Sequence, residues 1–414
     1  MQLFKPKRRI FASKLREMPS INDLDLKGAR VLVRVDFNVP LDDQQNITDD
    51  SRMQAHIPTL KAIIEKGGRP IVMSHLGRPK DGPDESLSLK HLVEHLRELS
   101  GVEVQFINDC VGDAVELATK QLPEGTILLL ENLRFHKEET KGDETFAKLL
   151  ANNGDFYIND AFGTAHRAHA STAVIAQYFK SKKAFGLVLK AEIDNVNKVL
   201  HGGKKPVTAI VGGAKVSSKI SVLENLLPKI DHLIIGGGMA FTFLKAQGGK
   251  TGNSLVEDDF LETAQKIMQE AEKQGVKIHL PLDSVIADDF SNEAKRDIVD
   301  SKSIPDGWMG LDAGPETIVA LEPIIEASKT VLWNGPLGVF EFEHFSEGTV
   351  KTAEMIAKAT KGGAFTLVGG GDSVAAIKKF NMAEQVSYVS TGGGAMLEFL
   401  EGKTLPGVAA ILED

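Results

Sequence analysis

The chain has 414 residues, of which 42% are hydrophobic and 25% are charged, and its formal net charge is −9. This composition is typical of a soluble globular protein, and the length favours two domains because it exceeds what one hydrophobic core usually spans. The acidic balance argues against non-specific binding to nucleic acid or anionic membranes, and no apolar run is long enough to span a bilayer.

The chain begins with a basic and mildly amphipathic stretch, residues 1–17. It lacks the long apolar core of a secretory signal, although a transit peptide is an alternative. We interpret the stretch as a short extension, or as a start placed upstream of Met18, and leave it out of the fold argument.

Strand-like apolar runs alternate with helical patterns along almost the whole chain. One helical pattern is the spacing of Met53, Ile57, Leu60 and Ile64. Such alternation favours parallel sheets that are covered by helices on both faces. The predicted strands are 30–37, 69–75, 102–107, 126–133 and 155–160 in the first half, and 205–213, 232–237, 276–283, 330–336, 365–371 and 386–394 in the second.

A helix is predicted at the midpoint of the chain. Leu189, Ile193, Val196 and Leu200 form one apolar stripe, and the pattern ends at the glycines of 201–203. We interpret it as the helix that joins two α/β halves.

In the first half, three predicted strands are followed by segments that carry an arginine beside a histidine. Ligands of open α/β sheets bind at the carboxyl ends of the strands, where these segments fall. A surface salt bridge would explain any single arginine, but Arg52, Arg78, Arg134 and Arg167 together favour a site for a small, highly anionic molecule. Residues 34–38 alternate polar and apolar side chains, which would also suit an exposed edge strand.

The histidines of these segments could in principle bind a metal ion. The chain has a single cysteine, Cys110, which fits a reducing compartment, and no HExxH helix. We therefore expect no transition-metal site at His75, His136, His166 and His169.

In the second half, glycine-rich turns follow four predicted strands, at 212–213, 236–238, 369–371 and 392–394. None completes a Walker or GxGxxG motif, but such turns lead into helix N-termini, which attract phosphate. Asp372 and Ser373 could equally cap a helix or bind a ligand. Lys215 and Lys219 would point the same way if their segment were helical, and the apolar turn 333–341 could hold a base or ribose, with Glu341 accepting from hydroxyls.

A series of motifs resembles the phosphoglycerate kinase family and occurs in the family's order: RVDFNVP, SHLGRP, ENLRFH, NDAFGTAHRAH, VGGAKVSSK, WMGLDAGPE, WNGPLGVFE, GGGDS and STGGGA. The resemblance runs from about residue 20 to the end. It implies two Rossmann-like parallel-sheet domains, each a three-layer α/β/α sandwich, joined by a central helix with a deep cleft between them. The implied domains are 1–189 for the acid substrate, 190–203 for the interdomain helix, 204–395 for the nucleotide, and 396–414 returning to the first domain.

The resemblance also implies the substrates and the residues that bind them. The acid substrate, 3-phosphoglycerate or 1,3-bisphosphoglycerate, would contact Asp36, Phe37, Asn38, Arg52, His75, Leu76, Gly77, Arg78, Arg134 and Arg167. ADP or ATP would contact Lys219, Gly310, Glu341, Gly370, Gly371, Asp372 and Ser373. The catalytic set would be Arg52, Lys215, Lys219, Gly371 and Gly394, with Mg²⁺ on Asp372. We expect a cytoplasmic monomer that changes shape by hinge bending and has no nucleic-acid or membrane partner.

Phosphoryl transfer of this kind needs no general base, because both acceptor oxygens are ionised near neutral pH. Catalysis would instead rest on positioning and positive potential. A dinucleotide-dependent dehydrogenase and a non-enzymatic two-lobed binding protein are the alternatives. The first lacks its glycine fingerprint here, and the second would turn over no ATP.

Overall fold

The computed structural model describes residues 18–80 and 82–413. Within them the chain forms two compact units, one that extends to Ile193 and includes the segment from Thr404, and one that comprises Asp194–Lys403. The predicted extension 1–17 lies outside the described residues. No described helix is long and apolar enough to cross a membrane.

The first unit contains a six-stranded parallel sheet with the strand order β3-β4-β2-β1-β5-β6. Leu32 and Val33, which are adjacent on β1 and so face opposite sides of the sheet, are both fully buried. The sheet is therefore covered on both faces, as its parallel strands require. Its strands are β1 Arg30–Arg34, β2 Arg69–Met73, β3 Val104–Ile107, β4 Ile127–Leu130, β5 Phe156–Asn159 and β6 Lys183–Phe185.

The helices of the first unit connect these strands. Met53 and Leu60 of the predicted stripe are fully buried in the helix Ser51–Glu65. The α-helices are Ser51–Glu65, Val93–Ser100, Asp113–Gln121, Lys137–Lys141, Glu144–Ala151 and Pro406–Leu412. Short 3-10 helices are Ile21–Asp23, Glu85–Leu87, Leu89–Leu92, Leu133–Phe135, Phe162–Thr164 and Val174–Tyr178.

The second unit contains another six-stranded parallel sheet, with the order β10-β8-β7-β15-β16-β17. All five residues of β7 and of β15 are buried, so this sheet too is covered on both faces. The strands are β7 Val207–Val211, β8 His232–Ile235, β9 Lys250–Thr251, β10 Lys277–His279, β11 Asp283–Ala287, β12 Arg296–Asp300, β13 Ser303–Ile304, β14 Met309–Ala313, β15 Thr330–Asn334, β16 Phe365–Val368 and β17 Tyr388–Val389.

The remaining helices belong to the second unit, apart from one at the boundary. The α-helices are Ile220–Leu226, Met239–Ala246, Leu261–Lys273, Pro315–Ala327, Glu347–Lys361, Gly371–Lys379 and Gly394–Leu400. The 3-10 helices are Leu227–Lys229, Asp258–Phe260, Glu343–Phe345 and Ala383–Gln385. The helix Leu187–Leu200 carries the predicted midpoint stripe and runs from the first unit into the second.

An antiparallel sheet in the second unit is absent from the sequence prediction. Strand β11 pairs antiparallel with both β12 and β14. The run 276–283 was predicted as one strand, but the backbone leaves β10 after His279, passes through Pro281 and starts β11 at Asp283. A proline removes a donor from a strand ladder, which accounts for a break within this apolar run.

The C-terminal helix Pro406–Leu412 packs in the first unit. The N–H of Gly407 donates to the carbonyl of Ala165 at 2.8 Å. Leu405, Val408 and Ile411 are buried. This segment therefore contributes apolar contacts to the core of a unit from which it is distant in sequence.

We expect Val408→Ala to lower the free energy of unfolding by roughly 2–3 kcal/mol, because it removes two buried methyl groups and leaves a cavity. Val319 is the matched control, since it also lies on a helix but is 69% exposed. Val319→Ala should change stability by no more than about 0.5 kcal/mol. Urea unfolding of both variants tests this, and equal effects would contradict the packing assigned to the C-terminal helix.

Candidate active site

The segment after β1 is tied to the first turn of the helix Ser51–Glu65 by Arg52. The Arg52 Nη1 atom lies 3.2 Å from Asp36 Oδ2 and 3.1 Å from the Asn38 carbonyl oxygen. Arg52 thus spans the predicted acid-substrate segment, and its side chain is 39% exposed. A guanidinium held in this way keeps part of its donor fork open to solvent.

The ends of strands β1, β2 and β4 are joined by hydrogen bonds. The Gly77 N–H donates to Asn38 Oδ1 at 2.8 Å, and the Arg134 guanidinium donates to the Gly77 carbonyl. The Phe37 N–H donates to Ser74 Oγ at 2.8 Å. The structure therefore brings together predicted residues that are about a hundred positions apart in sequence.

Positive charge accumulates at these strand ends. Burial, and then repulsion by Arg34, Arg167 and Arg78, lowers the pKa of Arg134 to about 10. Like charges lower one another's pKa only at short range, so this shift indicates that the guanidiniums are near one another. Arg78 itself is exposed, and Arg167 Nε lies 3.2 Å from His166 Nε2.

Two further members of the predicted set are buried titratable groups. His75 has its pKa held well below the ordinary value, by burial first and then by Arg34, Arg134 and Arg52, so it is neutral at pH 7. Burial would raise the pKa of the Asp36 carboxyl, but the guanidiniums of Arg52 and Arg34 favour its charged form and hold the pKa below its usual value. The site therefore presents arginines as its cations and a neutral imidazole beside them. Leu76, the remaining predicted residue, is buried.

Arg34 was not predicted as a site residue, and the edge-strand alternative for its segment is wrong. Strand β1 is central in the sheet, and Arg34 is 1% exposed. Its Nε donates to Ser171 Oγ at 2.9 Å, and its Nη2 lies 3.2 Å from His75 Nδ1. The polar alternation along residues 34–38 was the available signal, but it reflects a buried charged network rather than exposure to solvent.

The second unit contains a cavity of about 490 Å³. Its lining combines glycine backbone at Gly213 and Gly238, apolar side chains such as Leu337, and a few polar groups. Of the predicted nucleotide residues, Gly310, Glu341 and Asp372 line it. A mostly apolar pocket with a few polar groups on its wall is typical of a small-molecule site.

The glycine turns have a packing role that the sequence did not reveal. A Cβ atom on Gly212 would lie 2.1 Å from the Pro336 carbonyl oxygen, and one on Gly237 would lie 2.8 Å from Gly213. These two glycines are therefore required by the protein's own backbone, whatever ligand binds. At Gly371, in contrast, nothing lies within 4 Å of an added Cβ, so the space there is open.

The GGGDS turn leads directly into the helix Gly371–Lys379. Gly370 precedes it with a φ of 90°, a backbone angle that favours glycine. Asp372 is exposed in the first turn, whereas Ser373 is fully buried and its hydroxyl accepts from the Gly335 N–H. The side chain of Asp372 thus faces the cavity, and that of Ser373 is committed to the neighbouring turn.

Lys215 and Lys219 are not on one helical face, because the helix starts only at Ile220. Lys215 is exposed, while Lys219 donates to the side-chain oxygen of Asn334. Burial lowers the pKa of Lys219, against the opposing influence of Asp372 and Glu401. Asn334, which lies in the turn 333–341 considered above for a base or ribose, also donates to the Gly369 carbonyl at 2.8 Å.

The last predicted residue of the catalytic set, Gly394, begins the helix Gly394–Leu400. Gly393 precedes it with a φ of 47°. The Ser390 N–H donates to the Val368 carbonyl at 2.8 Å, which holds this segment beside the end of β16. Gly394 and the GGGDS turn therefore follow neighbouring strands of one sheet.

One of the four histidines considered above lies in a group that could hold a metal ion. The ligand atoms of Asp109, Cys110 and His136 all lie within 4.8 Å of one another. This group was not predicted, because Cys110 and His136 follow different strands and are distant in sequence. The Cys110 thiol donates to the Glu131 carbonyl, and His136 Nε2 lies 2.9 Å from Asp109, so protein hydrogen bonds already occupy these atoms.

Asp312 forms part of the cavity wall and was not predicted either. It is 4% exposed, and it accepts from the N–H groups of Gly348 at 2.8 Å and Ala313 at 2.9 Å. Burial raises its pKa to about 7, although these hydrogen bonds oppose the shift. Asp312 therefore titrates in the physiological range.

The structure defines a two-unit α/β protein with arginines gathered at the strand ends of one unit and glycine turns around a cavity in the other. The family model for phosphoglycerate kinase matches residues 21–403. The chain belongs to the phosphoglycerate kinase family.

Similar proteins and a similar solved structure support this family assignment. A cytosolic phosphoglycerate kinase of Triticum aestivum is 53% identical over 96% of this chain and 99% of its own length. A phosphoglycerate kinase of Porphyromonas gingivalis is 51% identical over 95% of this chain and 99% of its own. The solved structure of phosphoglycerate kinase from Coxiella burnetii matches with a TM-score of 0.87 and 41% identity, covering 95% of this chain and 98% of that one.

We expect the stability of the protein to depend on pH through Asp312. Because its pKa is about 7 in the folded protein against 3.8 ordinarily, the folded state holds an extra proton between these values. The free energy of unfolding then falls as pH rises through this window. Asparagine does not titrate, so Asp312→Asn should not lose stability in this way. The free energy of unfolding of the variant minus that of wild type should therefore increase by about 2 kcal/mol or more from about pH 4.5 to about pH 7.5.

Urea unfolding at a series of pH values measures this difference. Asp306→Asn, at an exposed position of the same unit, is the control and should give a difference that does not vary with pH over the same range. Parallel curves for wild type and Asp312→Asn would contradict the raised pKa.

Proposed function

We propose that the protein catalyses reversible phosphoryl transfer between 1,3-bisphosphoglycerate and MgADP, giving 3-phosphoglycerate and MgATP, the glycolytic reaction of its family. The observation that carries the proposal is that the two units contain chemically different candidate sites. The first unit gathers arginines at its strand ends, and the second has a glycine-lined cavity beside a lysine and an aspartate. These suit a small polyanion and a nucleotide respectively.

The acid substrate would bind at the strand ends of the first unit. Arginine forks grip phosphate and carboxylate oxygens in pairs, and several of them neutralise a molecule with more than one charge. Neutral His75 would serve as a hydrogen-bonding partner rather than as a cation. The proposed contacts are Asp36, Phe37, Asn38, Arg52, His75, Leu76, Gly77, Arg78, Arg134 and Arg167.

The nucleotide would bind in the cavity of the second unit, with its phosphates toward the GGGDS turn. Proposed contacts are Lys219, Gly310, Glu341, Gly370, Gly371, Asp372 and Ser373, of which Ser373 could contribute only its backbone, since its side chain is buried. Asp372 offers an exposed carboxylate in the cavity wall, which fits Mg²⁺ held by one carboxylate together with substrate phosphates. When bound, the ion would neutralise charge on the phosphate oxygens.

The protein's own groups would act by positioning and by electrostatic stabilisation. Both acceptors, a carboxylate in one direction and a phosphate oxygen in the other, are ionised at neutral pH, so no base has to remove a proton. Arg52, Lys215 and Lys219 would supply positive charge to the group in transfer. The backbone N–H groups at Gly371 and Gly394 would donate to phosphate oxygens where a side chain would block their approach.

The remaining parts of the proposal concern the whole molecule. Because the two substrates are assigned to different units, transfer requires the units to approach by hinge bending, which also excludes water. We assign 1–189 to the acid substrate, 190–203 to the joining helix, 204–395 to the nucleotide and 396–414 to a return to the first domain. We further propose a cytoplasmic monomer without nucleic-acid or membrane partners.

A coupled assay for ATP-dependent phosphorylation of 3-phosphoglycerate tests the function. We expect turnover that depends on both ATP and 3-phosphoglycerate, and no oxidation or reduction of a nicotinamide cofactor. Binding of either ligand without turnover would favour the binding-protein alternative instead.

Arg52→Ala should lower kcat by about 10³-fold or more, the scale of arginine contributions in phosphoryl transfer. Arg52→Lys should recover little, because an ammonium group lacks the planar fork that also holds Asp36 and Asn38. Steady-state kinetics with both substrates varied measures the effect.

The matched control is Arg69→Ala, since Arg69 opens strand β2 at the opposite end and donates to the Gly28 carbonyl at 3.0 Å. It should leave kcat within about threefold of wild type. A loss below about tenfold for Arg52→Ala would remove Arg52 from the catalytic role.

Asp372→Asn should raise the Mg²⁺ concentration needed for half-maximal activity by roughly tenfold, because the ion loses a charged oxygen ligand. Activity titrated against Mg²⁺ at fixed ATP gives the midpoint. Asp259→Asn, at an exposed position of the same unit, should leave the curve unchanged. Coincident curves for Asp372→Asn and wild type would refute the ligand assignment.

A further inference from the structure

A buried histidine outside the predicted site touches the acid-substrate segment. His56 lies in the helix Ser51–Glu65 and is 3% exposed. Its Nε2 lies 3.0 Å from the backbone nitrogen of Asp36, and its Nδ1 lies 2.8 Å from Asp160 Oδ2. The imidazole therefore bridges a site residue and a second buried carboxylate.

The partners of His56 fix its tautomer. A backbone N–H can only donate, so Nε2 accepts from Asp36. A carboxylate accepts, so Nδ1 carries the proton and donates it to Asp160. The ring is thus neutral and oriented, and turning it over would lose both hydrogen bonds.

Asp160 is itself held in place from a second side. Its Oδ1 accepts from the N–H groups of Val188 at 2.8 Å and Leu189 at 3.2 Å, in the first turn of the helix Leu187–Leu200. A Cβ atom on Gly186 would lie 2.2 Å from the same oxygen, so the backbone packs directly on this carboxylate. The ring of His56 is consequently anchored to the start of the helix that continues into the second unit.

We propose that His56 is a positioning residue for the acid substrate, acting through the backbone of Asp36. The inference rests on the proposed function. Asp36 and Asn38 together hold Arg52, so the orientation of this guanidinium depends on where the Asp36 backbone lies. By accepting from the Asp36 N–H, His56 fixes the position of the Asp36 backbone. Its own side chain is buried and would not touch the substrate.

Loss of the acceptor would act on the site rather than only on stability. The Asp36 N–H would be left buried without a partner, which favours a shift of the segment toward other acceptors. A displacement of about 1 Å at a catalytic group can lower the rate by about 10²-fold. If His56 only filled the core, replacing it would lower stability but would not lower turnover more than another substitution of equal stability cost does.

Two variants separate the two hydrogen bonds of the ring. His56→Gln places its side-chain oxygen near the position of Nε2 and can still accept from Asp36. His56→Asn places its amide near Nδ1 and can still donate to Asp160, but it does not reach Asp36. We expect kcat/KM for 3-phosphoglycerate to fall roughly tenfold to a hundredfold in His56→Asn and to stay within about threefold of wild type in His56→Gln.

Thr59→Val is the matched control. Thr59 lies one turn further along the same helix, is fully buried, and accepts from the Leu187 N–H at 3.1 Å. The substitution removes a hydrogen bond to the same helix start but leaves the Asp36 N–H with its acceptor. It should lower the thermal midpoint of unfolding without lowering kcat/KM.

The kinetic comparison decides whether His56 positions the site or only stabilises the fold. If Thr59→Val and His56→Asn lose kcat/KM equally, or if His56→Gln loses as much as His56→Asn, the proposal is overturned. Wild-type enzyme without turnover would instead refute the proposed function, so the two failures are distinct.

A measurement on the wild-type protein does not depend on whether any variant folds. In ¹⁵N NMR spectra of the imidazole, His56 should show a protonated Nδ1 and an unprotonated Nε2 at neutral pH. A proton on Nε2 would place two donors opposite each other at Asp36 and would overturn the proposal.

Discussion

The concentration of guanidinium groups at the strand ends of the first unit is the constraint on which the rest of that unit depends. Arg34 and Arg134 repel each other, and burial strengthens the repulsion because little water screens it. Buried carboxylates offset this charge. Asp36 contacts Arg52 directly, and Glu139 accepts from Ser171, the same residue that accepts from Arg34. Packing both faces of the parallel sheet keeps these groups fixed before an anion binds.

The second unit also has a six-stranded parallel sheet, with a different strand order, but it offers backbone amides where the first offers guanidiniums. Several of its glycines pack closely on neighbouring turns, as the short approach of Gly212 to Pro336 shows, whereas an added Cβ at Gly213, Gly371 or Gly393 would meet free space. Close packing of the turns limits their movement, so under the proposed function the amides at Gly371 would need little reorganisation to bind a phosphate. Rigid donors of this kind stabilise charge more than mobile ones do.

Most of the parallel architecture was predictable from the sequence. A buried strand has a short run of apolar residues, and glycine or charged residues follow where the strand ends. The prediction missed the antiparallel sheet of β11, β12 and β14, whose exposed strand β12 carries charges rather than an apolar run. Most of the candidate site residues proposed from the sequence are those that directly follow a strand. His56 and Asp312 were not predicted. Each is a buried polar group within a helix or strand and has hydrogen-bond partners that are distant in sequence, so the local pattern does not reveal them.

The shifted pKa values of both units share a cause that bears on the chemistry. Burial is the largest influence at His75, Arg134, Lys219 and Asp312, so these groups are desolvated in the protein without a ligand. Desolvation makes His75 a neutral donor or acceptor and leaves it unable to act as a cation. It leaves Lys219 with a charge that a bound phosphate would stabilise. Desolvating these four groups costs folding free energy, and under the proposed function a bound anion would offset part of that cost at Arg134 and Lys219 by supplying negative charge.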